Sequence, residues 1–115
     1  MEIKYETVPL EKGIRFSATQ NNKEVGRAYL YLLYNSLHKK PFGFIEDVFV
    51  EEEARGKGIG TQLIKKVIDT AINTGCYKII CTSRYGKENV HDMYVKLGFK
   101  DHGKEFRLNT QIGNE

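Results

Sequence analysis

The sequence predicts an α+β domain with a mixed central sheet: an antiparallel N-terminal meander, a long helix after its fourth strand and a second helix after a fifth strand. Three observations predict it. Apolar and polar residues alternate through much of the first 50 residues, the two-residue period of strands. From Ile59 the apolar spacing changes to that of a helix. A short apolar run at 77–83 then lies between two helical stretches, the usual setting of a parallel strand.

Residues 2–8, EIKYETV, alternate as the first strand, and Pro9 and Gly13 bracket a turn. IRFSATQ at 14–20 is the second strand, with Ile14, Phe16 and Ala18 on one face. NNKE is a turn. VGRAYLYLLYN at 25–35 is the third strand, and Gly26 marks its start or a bulge. SLHKKP is a loop before the fourth strand, Gly43 to Val50. Ile59, Leu63, Ile64, Val67, Ile68, Ala71 and Ile72 make one face of a helix that Gly75 stops. YKIICTS at 77–83 pairs in parallel beside the fourth strand. Val90, Met93, Tyr94 and Leu97 share a second helical face that ends at Gly98. Residues 99–109 read as a closing strand or a hairpin around Gly103.

A chain of 115 residues suffices for one domain, residues 1–115. Its 18 lysines and arginines against 15 acids give a net charge of +3. That is too mild for a nucleic-acid coat and suits a small anionic ligand. Cys76 and Cys81 are five residues apart, or roughly 16 Å if extended, too far for a disulfide. They read as core thiols of a reducing compartment, and no Cys or His spacing suggests a metal. The N-terminus shows no apolar leader and no run approaches a membrane span, so a cytoplasmic protein without a membrane partner is expected.

The chemistry is concentrated in ARGKGIGTQL at 54–63. Gly56, Gly58 and Gly60 alternate with Lys57 and Ile59 behind Arg55, between a strand and a helix. Such a loop leaves backbone amides facing an anion, with the helix dipole behind them. A P-loop needs Gly-Lys-Ser/Thr, but Gly60 precedes Thr61-Gln62. A dinucleotide fold needs G-x-G-x-x-G after the first strand of a βαβ unit, and these glycines follow a meander.

Arg55-x-x-Gly58-x-Gly60, placed after a buried strand, resembles the pyrophosphate motif of the GNAT N-acetyltransferases. FIEDVFVEEEARGKGIGTQLI resembles that family's fourth strand and third helix, YKIICTS its fifth strand, and NVHDMYVKLGFK its fourth helix. Together they cover roughly residues 43–108. The resemblance implies acetyl transfer from acetyl-CoA, as cosubstrate, to a primary amine. It implies that the amides of Arg55 to Thr61 hold the pyrophosphate, with charge from Arg55 and Lys57. The strand end at Val48, Phe49 and Val50 would line the pantetheine, and the Val48 amide would polarise the thioester carbonyl.

A protonated amine must lose a proton before it attacks. Glu46 and Asp47 are the candidate bases; as neighbours on a regular strand they should point to opposite faces, and Glu46 is preferred. Tyr94 matches the family's tyrosine that protonates the leaving thiolate. Asn89 is a cofactor contact or the cap of its helix, and Lys96 is a further candidate cofactor contact. His91 reads as an ordinary surface histidine.

Ile45-Glu46-Asp47-Val48 and Gly75-Cys76-Tyr77-Lys78 are similar to the glucosamine-6-phosphate N-acetyltransferase branch, whose sugar phosphate would need Arg84, Lys87 or Arg107. The two helices that usually follow the family's first strand are missing here. The acceptor site is therefore expected to be open, or completed by a second subunit in a homodimer. An open site would accept a small-molecule or protein amine; the alternative to an enzyme is a sensor that binds acyl-CoA without turning it over.

Overall fold

The structure, a computed structural model, describes residues 12–111. The strand expected at 2–8 lies outside the described residues. The chain divides into two compact units, one ending at Cys81 and one beginning at Thr82.

The first unit is a sheet with one helix. Strands β1 (Lys12–Gln20), β2 (Lys23–Leu33), β3 (Phe42–Val50) and β4 (Ile79–Cys81) lie side by side in that order. The first three pair antiparallel, with Phe16 opposite Ala28 and Leu30 opposite Ile45; β4 joins β3 in parallel, with Phe44 opposite Ile80. The β1–β2 turn is Asn21-Asn22, both at positive φ, the two-residue hairpin geometry that asparagine tolerates best after glycine. A register shift puts Val25 in excess between Ala18 and Thr19, so the irregularity expected near Gly26 is a bulge.

A short 3₁₀ turn at Glu52–Ala54 leads toward helix α1 (Ile59–Thr74). Its buried residues Ile59, Leu63, Ile64, Val67 and Ala71 are those the helical spacing marked, whereas Ile72 is mostly exposed. The helix ends as expected at Gly75, where the Gly75 and Cys76 amides donate to the carbonyls of Ile72 and Ala71. Opposite α1, the sheet contributes Ala28, Leu30, Leu32 and Ile45, all nearly inaccessible. Gly26 allows the close approach: a Cβ there would lie 3.1 Å from Leu63 Cδ1 and 3.2 Å from the Phe49 carbonyl. The start of α1 is held near the end of β3 by this contact and by the cluster of Val25, Ala54, Ile59 and Leu63.

The second unit holds helix α2 (Glu88–Lys96). The closing strand expected at 99–109 is not formed; no described residue after α2 is in a helix or strand, and Phe106 and Leu108 are almost fully exposed. Alternating apolar residues support a strand only when a sheet edge accepts their ladder and covers one face.

Candidate functional site

The glycine loop has the form the sequence suggested, with one correction. Gly56 and Gly58 adopt φ of 78° and 81°, which a side chain would strain. Gly60 is not in the loop; it belongs to the first turn of α1. Gly58 is the N-cap and offers no side-chain cap, and the first turn carries no acid. Among the described residues, no protein acceptor takes the amides of Gly56, Lys57, Gly58, Ile59, Gly60 or Thr61; the next amide, of Gln62, donates to the Gly58 carbonyl at 3.0 Å. Six successive amides thus stand at a helix start beside the exposed Lys57, an arrangement able to receive an anion.

Arg55 is arranged differently from the expectation that it projects toward a phosphate. Its Nε donates to the Val50 carbonyl at 2.8 Å, and its guanidinium lies 5.6 Å from the centre of the Phe49 ring. Arg27 flanks the same ring at 4.9 Å. The charge of Arg55 therefore sits at the end of β3.

Glu46 and Asp47 share one face of the sheet, contrary to the alternation expected of a regular strand. Tyr29 pairs with Glu46 and Arg27 with Phe49, so Asp47 and Val48 together oppose Ala28. This is a β-bulge, with Asp47 at φ 54° in the left-handed region, where aspartate is among the less penalised residues. Arg27 lies on the face turned away from α1, in line with Tyr29. Its Nε and an Nη each donate to Asp47 carboxylate oxygens at 3.1 Å. Asp47 is thus held by an ion pair, while no described residue bonds to the Glu46 carboxylate, which is exposed.

The bulge lies where β3 loses its neighbour. Pairing with β4 covers only Gly43, Phe44 and Ile45, and β3 runs on through Glu46, Asp47, Val48, Phe49 and Val50 with no β4 partner. Val48, Phe49 and Val50 are half-buried there. On this stretch the Val50 carbonyl accepts the Arg55 Nε–H.

In the second unit, Tyr94 is buried at 8% exposure. Its position has a structural cause. The Gly98 amide donates to the Val95 carbonyl and the Phe99 amide to the Tyr94 carbonyl, while the Tyr94 and Phe99 rings meet edge to face at 5.3 Å. That is a Schellman end with its apolar clasp, and it accounts for the Tyr-x-x-x-Gly-Phe spacing without invoking chemistry. Asn89 is not the cap of α2; Lys87 occupies that position, and Asn89 lies exposed in the first turn. Lys96 is exposed in the last turn, where a cation suits the helix dipole. His91 is half-buried, and its Nε2 lies 2.9 Å from the Arg84 carbonyl and 3.1 Å from Ser83 Oγ, so it ties the preceding loop to α2.

Sequence reasoning missed Arg27, Tyr29 and Tyr31. Their alternation marked a strand, but only the register with β3 puts them beside the two acids. Neither Cys76 nor Cys81 is in a disulfide, and burial pushes the Cys76 thiol above its ordinary value. Among the described residues no helix is long and apolar enough to cross a membrane, and no group of three metal-binding side chains occurs.

Comparison with known proteins gives a consistent result. Residues 3–99 match the profile described as the Acetyltransferase (GNAT) family. A thialysine N-epsilon-acetyltransferase of Sus scrofa is 32% identical over 82 residues, covering 71% of this chain and 48% of that protein. A glucosamine 6-phosphate N-acetyltransferase of Trypanosoma brucei brucei is 41% identical over 66 residues, covering 57% and 43%. The chain thus spans about half the length of these curated relatives. A putative acetyltransferase from Agrobacterium tumefaciens str. C58 superposes with a TM-score of 0.78 at 32% identity, over 84% of this chain and 68% of that one.

Proposed function

The chain belongs to the GNAT acetyltransferase family, and from that premise we propose that it transfers an acetyl group from acetyl-CoA to a primary amine by direct attack in a ternary complex. The observation that carries the reading is the row of six amides from Gly56 to Thr61, at the start of α1, for which the described residues supply no acceptor.

Acetyl-CoA supplies an activated acyl thioester. The chain's residues supply the rest. The amides from Gly56 to Thr61 bind the pyrophosphate, and Lys57 adds a charge-assisted contact. Arg55 adds positive charge: its Nε is held by the Val50 carbonyl, which leaves its terminal nitrogens to donate to a phosphate. The unpaired edge of β3 aligns the pantetheine along Val48, Phe49 and Val50, and the Val48 amide stabilises negative charge on the reacting carbonyl oxygen. Asn89 and Lys96 are proposed cofactor contacts by their match to the family.

Glu46 accepts the proton that the acceptor ammonium must lose. The support is that its carboxylate is exposed and bonded by no described residue, whereas the Asp47 carboxylate is held by Arg27. Asp47 therefore serves to fix the bulge and to hold Arg27. As the nitrogen–carbon bond forms and the carbon–sulfur bond breaks, Tyr94 is the proposed donor of a proton to sulfur, by its match to the family's tyrosine. Calorimetric titration with acetyl-CoA, with ATP and NAD as controls, tests the reading. Saturable binding of acetyl-CoA alone is expected. Equal or stronger binding of ATP or NAD would return the loop to a general nucleotide site.

A further inference from the structure

The sheet face turned away from α1 carries a pattern that bears on the acceptor. Across the strands Arg15 pairs with Tyr29 and Tyr29 with Glu46; in the next row Gly13 pairs with Tyr31 and Tyr31 with Phe44. The Tyr29 and Tyr31 rings stack with centroids 6.1 Å apart and planes 14° from parallel. The Tyr31 ring lies over Gly13, where a Cβ would come within 3.2 Å of it. The result is an aromatic platform beside the exposed Glu46 carboxylate.

The charges on this face are paired off unevenly. Arg15 donates through both terminal nitrogens to Glu24, at 2.7 and 2.8 Å, and through Nε to the Tyr29 hydroxyl at 3.1 Å. Arg27 is held by Asp47 in the same two-point manner. Among the described residues, two guanidiniums meet three carboxylates on this face, and the one left over is Glu46. A phosphate arriving here would have to displace Glu24 or Asp47 from a two-point ion pair. The Arg15 guanidinium already lies 5.7 Å from the centre of the Tyr29 ring, so this face holds one cation against an aromatic ring; an ammonium would find in Glu46 a carboxylate that no described residue engages, with the Tyr31 ring in the adjacent row.

We infer that this face receives an unphosphorylated, cationic aliphatic amine, such as a diamine or a lysine-like side chain, bound between the Tyr29–Tyr31 platform and Glu46. This rests on the acetyl-transfer reading for its consequence, but binding can be read without it.

In the protein without acetyl-CoA, 1,5-diaminopentane should shift the backbone amide resonances of Tyr29, Tyr31 and Glu46 saturably. Tyr31→Leu should weaken that binding roughly fivefold, and Glu46→Gln should weaken it further. With acetyl-CoA present, coenzyme A release should favour 1,5-diaminopentane over glucosamine 6-phosphate. Asp47→Asn, which keeps a side chain tolerant of the left-handed backbone and frees Arg27, should narrow that preference. The inference is overturned if glucosamine 6-phosphate shifts these resonances and the diamine does not, or if the sugar phosphate is the better acceptor. Failure of acetyl-CoA to bind, with the diamine still shifting the three resonances, would remove the acetyl-transfer reading and leave the cation site standing.

Discussion

Gly58 illustrates how single residues fix this site. Its φ of 81° places it in the left-handed region, and nothing lies within 4 Å of where a Cβ would be. The glycine is needed for its backbone angle and not for space. Gly58→Ala should cost about 1 kcal/mol from the left-handed backbone alone. Urea unfolding would measure this, and acetyl-CoA affinity should fall as the amides turn away. Cys76 makes a different point. Burial raises its thiol, so its folded value lies above its unfolded one, near 8.5. The stability this represents is complete below the unfolded value and is lost as pH rises through the folded one. Cys76 should therefore react with iodoacetamide more slowly than a free thiol near pH 8.5, and stability should decline at higher pH. Equal rates would mean that the thiol is not shielded.

At the scale of elements, the end of α2 separates a packing role of Tyr94 from the proposed chemical one. Tyr94 and Phe99 clasp the helix end, and this contact needs only their rings. Tyr94→Phe keeps the ring and removes the hydroxyl. If Tyr94 protonates the leaving sulfur, the variant should retain its helix by circular dichroism while kcat falls roughly a hundredfold. Gly98→Ala should do the reverse. At φ 104° the added methyl strains the helix end by about 1 kcal/mol, and helicity should suffer first. A Tyr94→Phe variant with undiminished kcat would leave the tyrosine a purely structural role. The bulge in β3 is the other instructive element. One extra residue turns two adjacent acids onto the same face and then fastens one of them to Arg27.

At the largest scale, the stability of the first unit rests on the layer between α1 and the sheet. Leu30 and Ile64 are fully inaccessible and belong to opposite sides of that layer. Leu30→Ala should lose about 2–5 kcal/mol, since both the transfer energy and a cavity count against it. Chemical denaturation would show it as a large fall in midpoint. Because this layer also holds the start of α1 near the end of β3, acetyl-CoA binding should weaken together with stability.

Local chemistry by itself determined much of this protein. Periodicity located α1 to within two residues at its C-terminal end, because an amphipathic helix must repeat its apolar face. Gly75 and Gly98 marked helix ends, because a left-handed residue there needs no Cβ. Gly56 and Gly58 marked the glycine loop before α1, because their left-handed backbone is strained for any residue with a Cβ. What only the tertiary structure decided depends on partners distant in sequence. The bulge at Asp47 exists relative to Ala28, and the pairing of Arg27 with Asp47 spans twenty residues of chain. The alternation at 99–109 promised a strand, yet a strand is a relation between two segments and no described segment supplies the second ladder. Residues 14–50 could name the faces of their strands, but not which tyrosines would stand beside Glu46; register settles that, and register is set by how the strands pack together.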